Sequence, residues 1–263
     1  MRTFLALTRV AIQRQFTYRA AAMAGLATNF FFGLLRAAVM VALYGDQTQV
    51  NGLTLQDAIT FTGLSQAGIA FLSLFGWLEI VNSVNSGQVG ADLLKPMGYF
   101  GFWMAQDLGR SLVNLILRGL TIMAFYALVF DISVPASRGQ WIALALALTF
   151  AWMTSFAWRF VINLSAFWSP NAVGFCRLFF AMSWFLSGFF MPLRFFPEWF
   201  QRLCYLTPFP QMVNTPIEIY LGQLNPTQTV QALSVQVTWI IVLVILGQVT
   251  LMAGVRRLVI QGG

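Results

Sequence analysis

The sequence predicts an all-α integral membrane protein of six transmembrane helices, a reading carried by three observations. Of its 263 residues 59% are hydrophobic and only 9% charged, where a soluble domain carries roughly 25% charged residues. Apolar runs near the roughly 20 residues needed to cross a bilayer recur along the chain. Between them lies no polar stretch long enough for a soluble domain, so residues 1–263 are expected to form a single transmembrane domain.

Residues 1–20 mix Arg2, Arg9, Arg14 and Arg19 with Phe4, Leu5, Leu7, Val10, Ile12 and Phe16. The spread arginines break any cleavable apolar signal. An amphipathic helix on the inner membrane surface is expected instead, drawn to anionic lipid by about 1 kcal/mol per basic residue. The first span then acts as the uncleaved insertion signal. Spans are expected over Met23–Tyr44, Ala58–Leu78, Leu108–Phe130, Trp141–Ser165, Ala172–Met191 and Leu233–Ala253. Thr60, Thr62, Ser65, Gln66 and Ser73 dilute the second, but hydroxyls can close hydrogen bonds within their own helix.

With the N-terminus inside, Arg2, Arg9, Arg14, Arg19, Lys95, Arg110, Arg159, Arg177, Arg256 and Arg257 fall on the inner side and Arg138, Arg194 and Arg202 on the outer. The positive-inside bias therefore puts both termini in the cytoplasm. The same scatter argues against nucleic acid as a partner, since the net charge of +7 is not gathered on one face. Cys176 and Cys204 fall on opposite sides and cannot pair.

Six of the nine prolines lie between the fifth and sixth spans, around SGFFMPLRFFPEWFQRLCYLTPFP (Ser187–Pro210). Pro192 is expected to end or kink the fifth span after Met191. Pro197 suits the first turn of a short helix, PEWFQRLCYL, whose Trp199, Phe200, Leu203 and Leu206 share a face and which stops at Thr207-Pro208. A second short helix is expected over Gln211–Leu221, closed by Gly222. Two arrangements are open. The pair dips into the outer leaflet over 192–222 with its backbone sheltered by protein, or it lies flat as an interfacial aromatic belt.

Within the third span Asp107, Arg110, Asn114 and Arg118 fall within about 80° of one another at 100° per residue. They read as an Asp107/Arg110 pair near the cytoplasmic edge with Arg118 snorkelling towards it, or as part of a transport path. In the first span Gly25, Asn29, Gly33 and Arg36 share a face, the glycines admitting a neighbouring helix. Arg36 then calls for an acidic partner among Asp57, Asp131 and Glu218. In the cytoplasmic loop 81–103, GADLL before Lys95-Pro96 reads as a short helix stopped by proline, or as a plain connection.

The sequence has no histidine, no cysteine pair at metal spacing and no G-x-x-x-x-G-K-[ST] loop, and its eight carboxylates are scattered. No inverted repeat relates the two halves. Hydrolysis and ion coupling lack their usual residues.

The order of SGFFMPL, FFPEWF, YLTPF and a final span, with SGQVGADLLKPMGYF (Ser86–Phe100) upstream, resembles the permease subunit of the type-2 class of ATP-binding-cassette exporters. The resemblance implies six helices with both ends inside and a re-entrant pair forming an outer gate. It implies a coupling helix seated in a cleft of an ATPase subunit, making Gly90, Asp92, Leu93, Leu94, Lys95 and Pro96 contact candidates, and an N-terminal helix leaning on the same subunit. It further implies a non-catalytic chain that binds no cofactor or metal itself. ATP and Mg belong to a partner dimer of nucleotide-binding subunits, and a second permease copy, identical or related, completes the path in the inner (plasma) membrane of a prokaryotic cell. Phe189, Phe190, Met191, Pro192, Phe195, Phe196 and Trp199 would line the outer mouth, favouring export of amphipathic or lipophilic cargo. The competing readings are a channel or ion-coupled carrier without an ATPase, and a membrane enzyme or assembly scaffold.

Overall fold

The computed structural model describes residues 2–15 and 19–257. Phe16 and the Arg19 side chain, counted above in the N-terminal segment, lie outside the described residues. The described chain is helical apart from one small ribbon. Helices α1 (Arg2–Gln15) and α2 (Arg19–Tyr44) lead to strands β1 (Gln49–Val50) and β2 (Leu53–Thr54), then α3 (Leu55–Leu72), α4 (Glu79–Asn85) and α5 (Val89–Leu93). Next come α6 (Tyr99–Asn114), a π-turn (Leu115–Gly119), α7 (Leu120–Val129), α8 (Arg138–Asn163) and α9 (Ala172–Leu186). Two short helices, α10 (Glu198–Tyr205) and α11 (Asn214–Tyr220), precede α12 (Pro226–Val255).

Four of these helices are long and apolar enough to cross a membrane, over Gly25–Tyr44, Tyr99–Val129, Arg138–Phe167 and Pro226–Val255. The chain is thus an all-α multi-pass membrane protein. Its other two expected spans differ from these four in kind. α9 is apolar but shorter, and most of α3 is enclosed by protein. That enclosure explains the polar residues of α3. Thr60, Thr62 and Ser65 donate to the carbonyls of Gln56, Ile59 and Thr62 at 2.7, 2.7 and 2.9 Å, so each is satisfied within the helix.

Local chemistry sets both ends of α3. The ribbon turns at Asn51-Gly52, both at positive φ, as a two-residue hairpin on this dipeptide requires. Thr54 and Asp57 then close a reciprocal capping box. At the other end the helix stops at Leu72, short of the expected Leu78, because Ser73 takes a left-handed conformation with φ 51°. Residues 73–78 are unwound.

The third span begins at Tyr99, nine residues before the expected Leu108 (108 − 99 = 9). Its added aromatics are core: Tyr99, Phe102 and Trp103 pack with Trp77, Phe156 and Phe160. The start of this helix is also where α1 lies. Thr8 Oγ1 donates to the Ala105 carbonyl at 3.2 Å, and Thr8 and Ala11 are buried. Gly109 permits that approach, since a Cβ there would stand 2.5 Å from the Thr8 carbonyl oxygen and 2.7 Å from the Ala11 Cβ.

Gly109→Val is expected to cost about 1–3 kcal/mol by overpacking a backbone contact that cannot step aside. Thermal unfolding in detergent should show a lower midpoint, with residues 2–15 opened to protease. Gly98→Ala, where a Cβ meets nothing within 4 Å, should match the parent protein.

Candidate functional site

The unwound stretch after α3 sits against a buried charge centre. Asp107 on α6 and Arg159 on α8 are each 1% exposed and face each other in a two-pronged pair, Arg159 Nη1 and Nη2 donating to Asp107 Oδ1 and Oδ2 at 2.9 Å each. Arg110 Nη2 adds a donor to Oδ1 at 2.6 Å and Trp152 Nε1 one to Oδ2 at 2.9 Å. A buried carboxylate with four donors is satisfied, and the planar guanidinium fixes the angle between α6 and α8.

Arg110 and side chains near this centre reach the broken backbone. Arg110 Nη1 donates to the Ala70 carbonyl at 3.3 Å, Ser155 Oγ to Leu72 at 2.7 Å, Trp184 Nε1 to Leu74 at 2.6 Å and Asn163 Nδ2 to Trp77 at 2.8 Å. Carbonyls orphaned by the end of α3 are thereby met by side chains of α6, α8 and α9.

From Trp77 the chain enters α4 and α5. Ser83 Oγ and Lys95 Nζ donate to the two oxygens of Asp92 at 2.6 and 2.5 Å, and the Lys95 ammonium lies 3.5 Å from the Phe102 ring centroid. Asp92 therefore faces inward and fixes α5. Leu94, just past it, is 87% exposed.

The second interruption follows α9. The helix stops at Leu186, not at the expected Met191, and the break belongs to Ser187-Gly188 rather than to Pro192. Gly188 is left-handed at φ 78°, where a Cβ would crowd Asn214 at 3.0 Å. Buried Asn214 binds both sides of the break, its N–H donating to the Ser187 carbonyl at 3.1 Å and its Oδ1 accepting from Leu193 N–H at 3.1 Å. Arg36 reaches across from α2 and donates from Nη2 to the carbonyls of Phe189 and Phe190, with its guanidinium over the Phe189 ring. Arg194 pairs with Glu218 at 2.7 Å and donates to Gln223 at 2.9 Å, and Asn51 of the ribbon donates to the Arg194 carbonyl at 2.8 Å. Tyr205 Oη lies 3.1 Å from Asn214 Nδ2. Burial, and then the Glu218 carboxylate, push this hydroxyl well above its usual value.

A family model described as ABC-2 family transporter protein matches residues 30–262. The chain belongs to that family. No curated protein and no solved structure matches it. Membrane components of the ABC-2 family generally pair with ATPase subunits, and this chain is a membrane component of that family.

In this ABC-2 protein the residues singled out from sequence separate into groups. Among the loop candidates Leu94 and Pro96 are exposed, Gly90, Leu93 and Lys95 half-buried, and Asp92 buried. Among the outer candidates Phe189 is 3% exposed and belongs to the core with Phe61, Phe209 and Met212. Phe195 packs on Tyr44 at 6.3 Å, Phe196 on Phe200 at 4.8 Å, and Phe190 on Phe185 at 5.1 Å. Trp199 is exposed, Met191 half-buried and Pro192 buried.

The polar stripe divides as well. Asp107 and Arg110 pair as expected, Asn114 is half-buried where the π-turn begins, and Arg118 packs on Gly25 of α2. Two expectations are corrected. Arg36 binds backbone carbonyls in place of a carboxylate, while Asp57 accepts from Ser133 Oγ at 2.6 Å and Glu218 takes Arg194. Arg159, counted with the cytoplasmic charges, is the buried partner of Asp107.

Asp107→Asn should cost about 3–5 kcal/mol, because it leaves the Arg159 guanidinium buried without its charge partner. Thermal denaturation of the purified protein reads this. The double replacement Asp107→Leu/Arg159→Met should recover much of the loss. Removing the exposed Glu198–Arg202 pair, whose side chains are 83% and 81% exposed, should leave stability unchanged.

Proposed function

We propose that this chain is the permease subunit of an ATP-driven exporter of an amphipathic or lipophilic substrate, working with a dimer of nucleotide-binding subunits and a second permease copy in the plasma membrane of a prokaryotic cell. In this reading α3 and α9 complete six crossings and both termini are cytoplasmic. Residues 187–222 fold back within the outer leaflet. The observation that carries the reading is the tip of the α4–α5 loop. It bears an exposed leucine, Leu94, one residue past a five-residue helix that the Ser83–Asp92–Lys95 contacts hold in place. An exposed apolar residue beside a braced short helix suits insertion into a partner's cleft.

Helix α1 flanks this tip. A cleft of about 310 Å³ lies between Leu7, Val10 and Arg14 of α1 and Lys95, Pro96 and Met97 of the loop, so one docking surface can draw on both. ATP-driven closure of the partner would push α5 against α4 through the Ser83–Asp92 contact. The push continues from Trp77 to Asn163 and the Asp107–Arg159 centre, and so to the pitch of α6 against α8. At the outer face α10 exposes Trp199, Leu203 and Leu206, an apolar edge suited to the bilayer or to cargo leaving between two copies.

Leu94→Glu is expected to abolish co-purification of the ATPase from native membranes while the unfolding midpoint of the permease stays that of the parent. An ATPase that remains bound to this variant, or transport by the purified chain without any ATPase, would contradict the proposal.

A further inference from the structure

Gly68 of α3 faces open space: a Cβ there would meet Leu72 Cδ1 at an ordinary 3.7 Å and nothing closer outside the helix backbone. It borders an apolar slot of about 340 Å³. Buried Leu72 of α3, with Met212, Val213 and Ile217 around the start of α11, forms the floor. One wall is the π-turn and α7 from Leu115 to Met123, the other α8 from Trp141 to Leu148. Both walls belong to helices long and apolar enough to cross a membrane, and Ile116, Leu120 and Trp141 on them are exposed. The slot therefore opens sideways to hydrocarbon.

Specific contacts hold its two walls apart. Ser133, in the connection between α7 and α8, is tied to α3: its N–H donates to Thr60 Oγ1 at 2.9 Å and its Oγ to Asp57 at 2.6 Å. Gln140, in the first turn of α8, donates from Nε2 to the Ile219 and Tyr220 carbonyls at 3.0 and 2.6 Å. α8 is thereby drawn to α11, while α7 packs on α2 and α3, and among the described residues α7 and α8 share no extensive contact. Across the end nearest the connection stand Trp141 and Tyr220, edge to face at 6.1 Å.

A void of this size forfeits packing for every atom that lines it, and apolar walls do not hold water. Of the lining residues only Ser65, Trp141 and Tyr220 carry side-chain nitrogen or oxygen, and Ser65 Oγ already donates to the Thr62 carbonyl at 2.9 Å. A helix from a second copy, about 10–12 Å across, is too thick to enter. The walls run for about 10–12 Å at 1.5 Å per residue, the shape of a single chain laid along the helices. A volume of about 340 Å³ is roughly twice the ~150 Å³ that takes one benzene ring, which leaves room for on the order of ten carbon atoms. We infer that the slot holds one acyl chain of a membrane lipid, bound by its hydrocarbon and not by its headgroup. Only the leaflet that supplies the chain rests on the topology proposed above. The slot itself does not.

The test uses the full chain, purified without an ATPase in a sterol-based detergent that has no acyl chain. It is titrated with dilauroyl or dihexanoyl phosphatidylcholine, or with dilauroyl phosphatidylglycerol, and read by unfolding midpoint and native mass spectrometry. Both dilauroyl lipids should raise the midpoint saturably and alike, with lipid retained on the protein, and the dihexanoyl lipid should raise it far less. Gly68→Leu puts a side chain into the slot and Leu120→Trp covers its mouth. Each should weaken the response by about tenfold or more, since several buried methylenes are lost. Ile241→Trp, at an exposed position of α12, should respond as the parent does. A response undiminished in both slot variants, or one that follows headgroup rather than chain length, would overturn the inference. So would a parent midpoint indifferent to every lipid, which leaves the mouth to a protein partner. Because no ATPase is present, failure here leaves the Leu94 result standing, and the reverse also holds.

Discussion

A carboxylate and a guanidinium buried together inside a membrane protein constrain everything near them, because neither can be left alone. The Asp107–Arg159 pair fixes α6 against α8, and its neighbours Arg110, Ser155 and Asn163 carry hydrogen bonds out to the last turn of α3 and to Trp77 in the unwound stretch after it. The charge centre and the break in α3 are one structure. Without the break the donors would have no carbonyls to meet, and without the donors the break would leave polar backbone in an apolar surround. The loop that presents Leu94 hangs from this same knot through Trp77 and Val81, whose N–H donates to Asn163 at 3.4 Å.

The second interruption, after α9, follows the same rule with different residues. Gly188 supplies the backbone conformation, Asn214 binds the chain on both sides of it, and Arg36 meets the next two carbonyls. α11 is buried along its whole length because it supplies Asn214 and Glu218 to this arrangement, whereas α10 keeps only Cys204 buried. The two short helices, alike in length, therefore do different work. α11 anchors the segment, and α10 is left with an apolar edge uncovered by its own chain.

Much of this was legible in the sequence. Apolar run length found the helices, Pro197 and Gly222 marked the ends of short ones, and helical spacing put Asp107 with Arg110 and Gly25 with Gly33. What spacing within one helix does not reveal is the partner on another. Arg159 lies among aromatics near the C-terminal end of α8, so it reads as a topology charge until α6 is seen beside it. Arg36 pointed to a carboxylate because charge suggests charge, yet interrupted helices also offer carbonyl oxygens, and composition does not display those. Ser187-Gly188 and Asn51-Gly52 were both readable as turn signals. The first lies beside several prolines that give stronger break signals, and the second sits in a short connection between two apolar runs.

The central claim is that both interruptions are ordered and sheltered by the side chains named here. Backbone hydrogen–deuterium exchange of the protein in lipid nanodiscs tests it most directly. Residues 73–78 and 187–193 should exchange nearly as slowly as the helix turns beside them, and Asp107→Asn should speed exchange at 73–78 while leaving 187–193 unchanged. Exchange in the parent protein at both segments as fast as in the exposed connection at residues 45–48 would contradict the account.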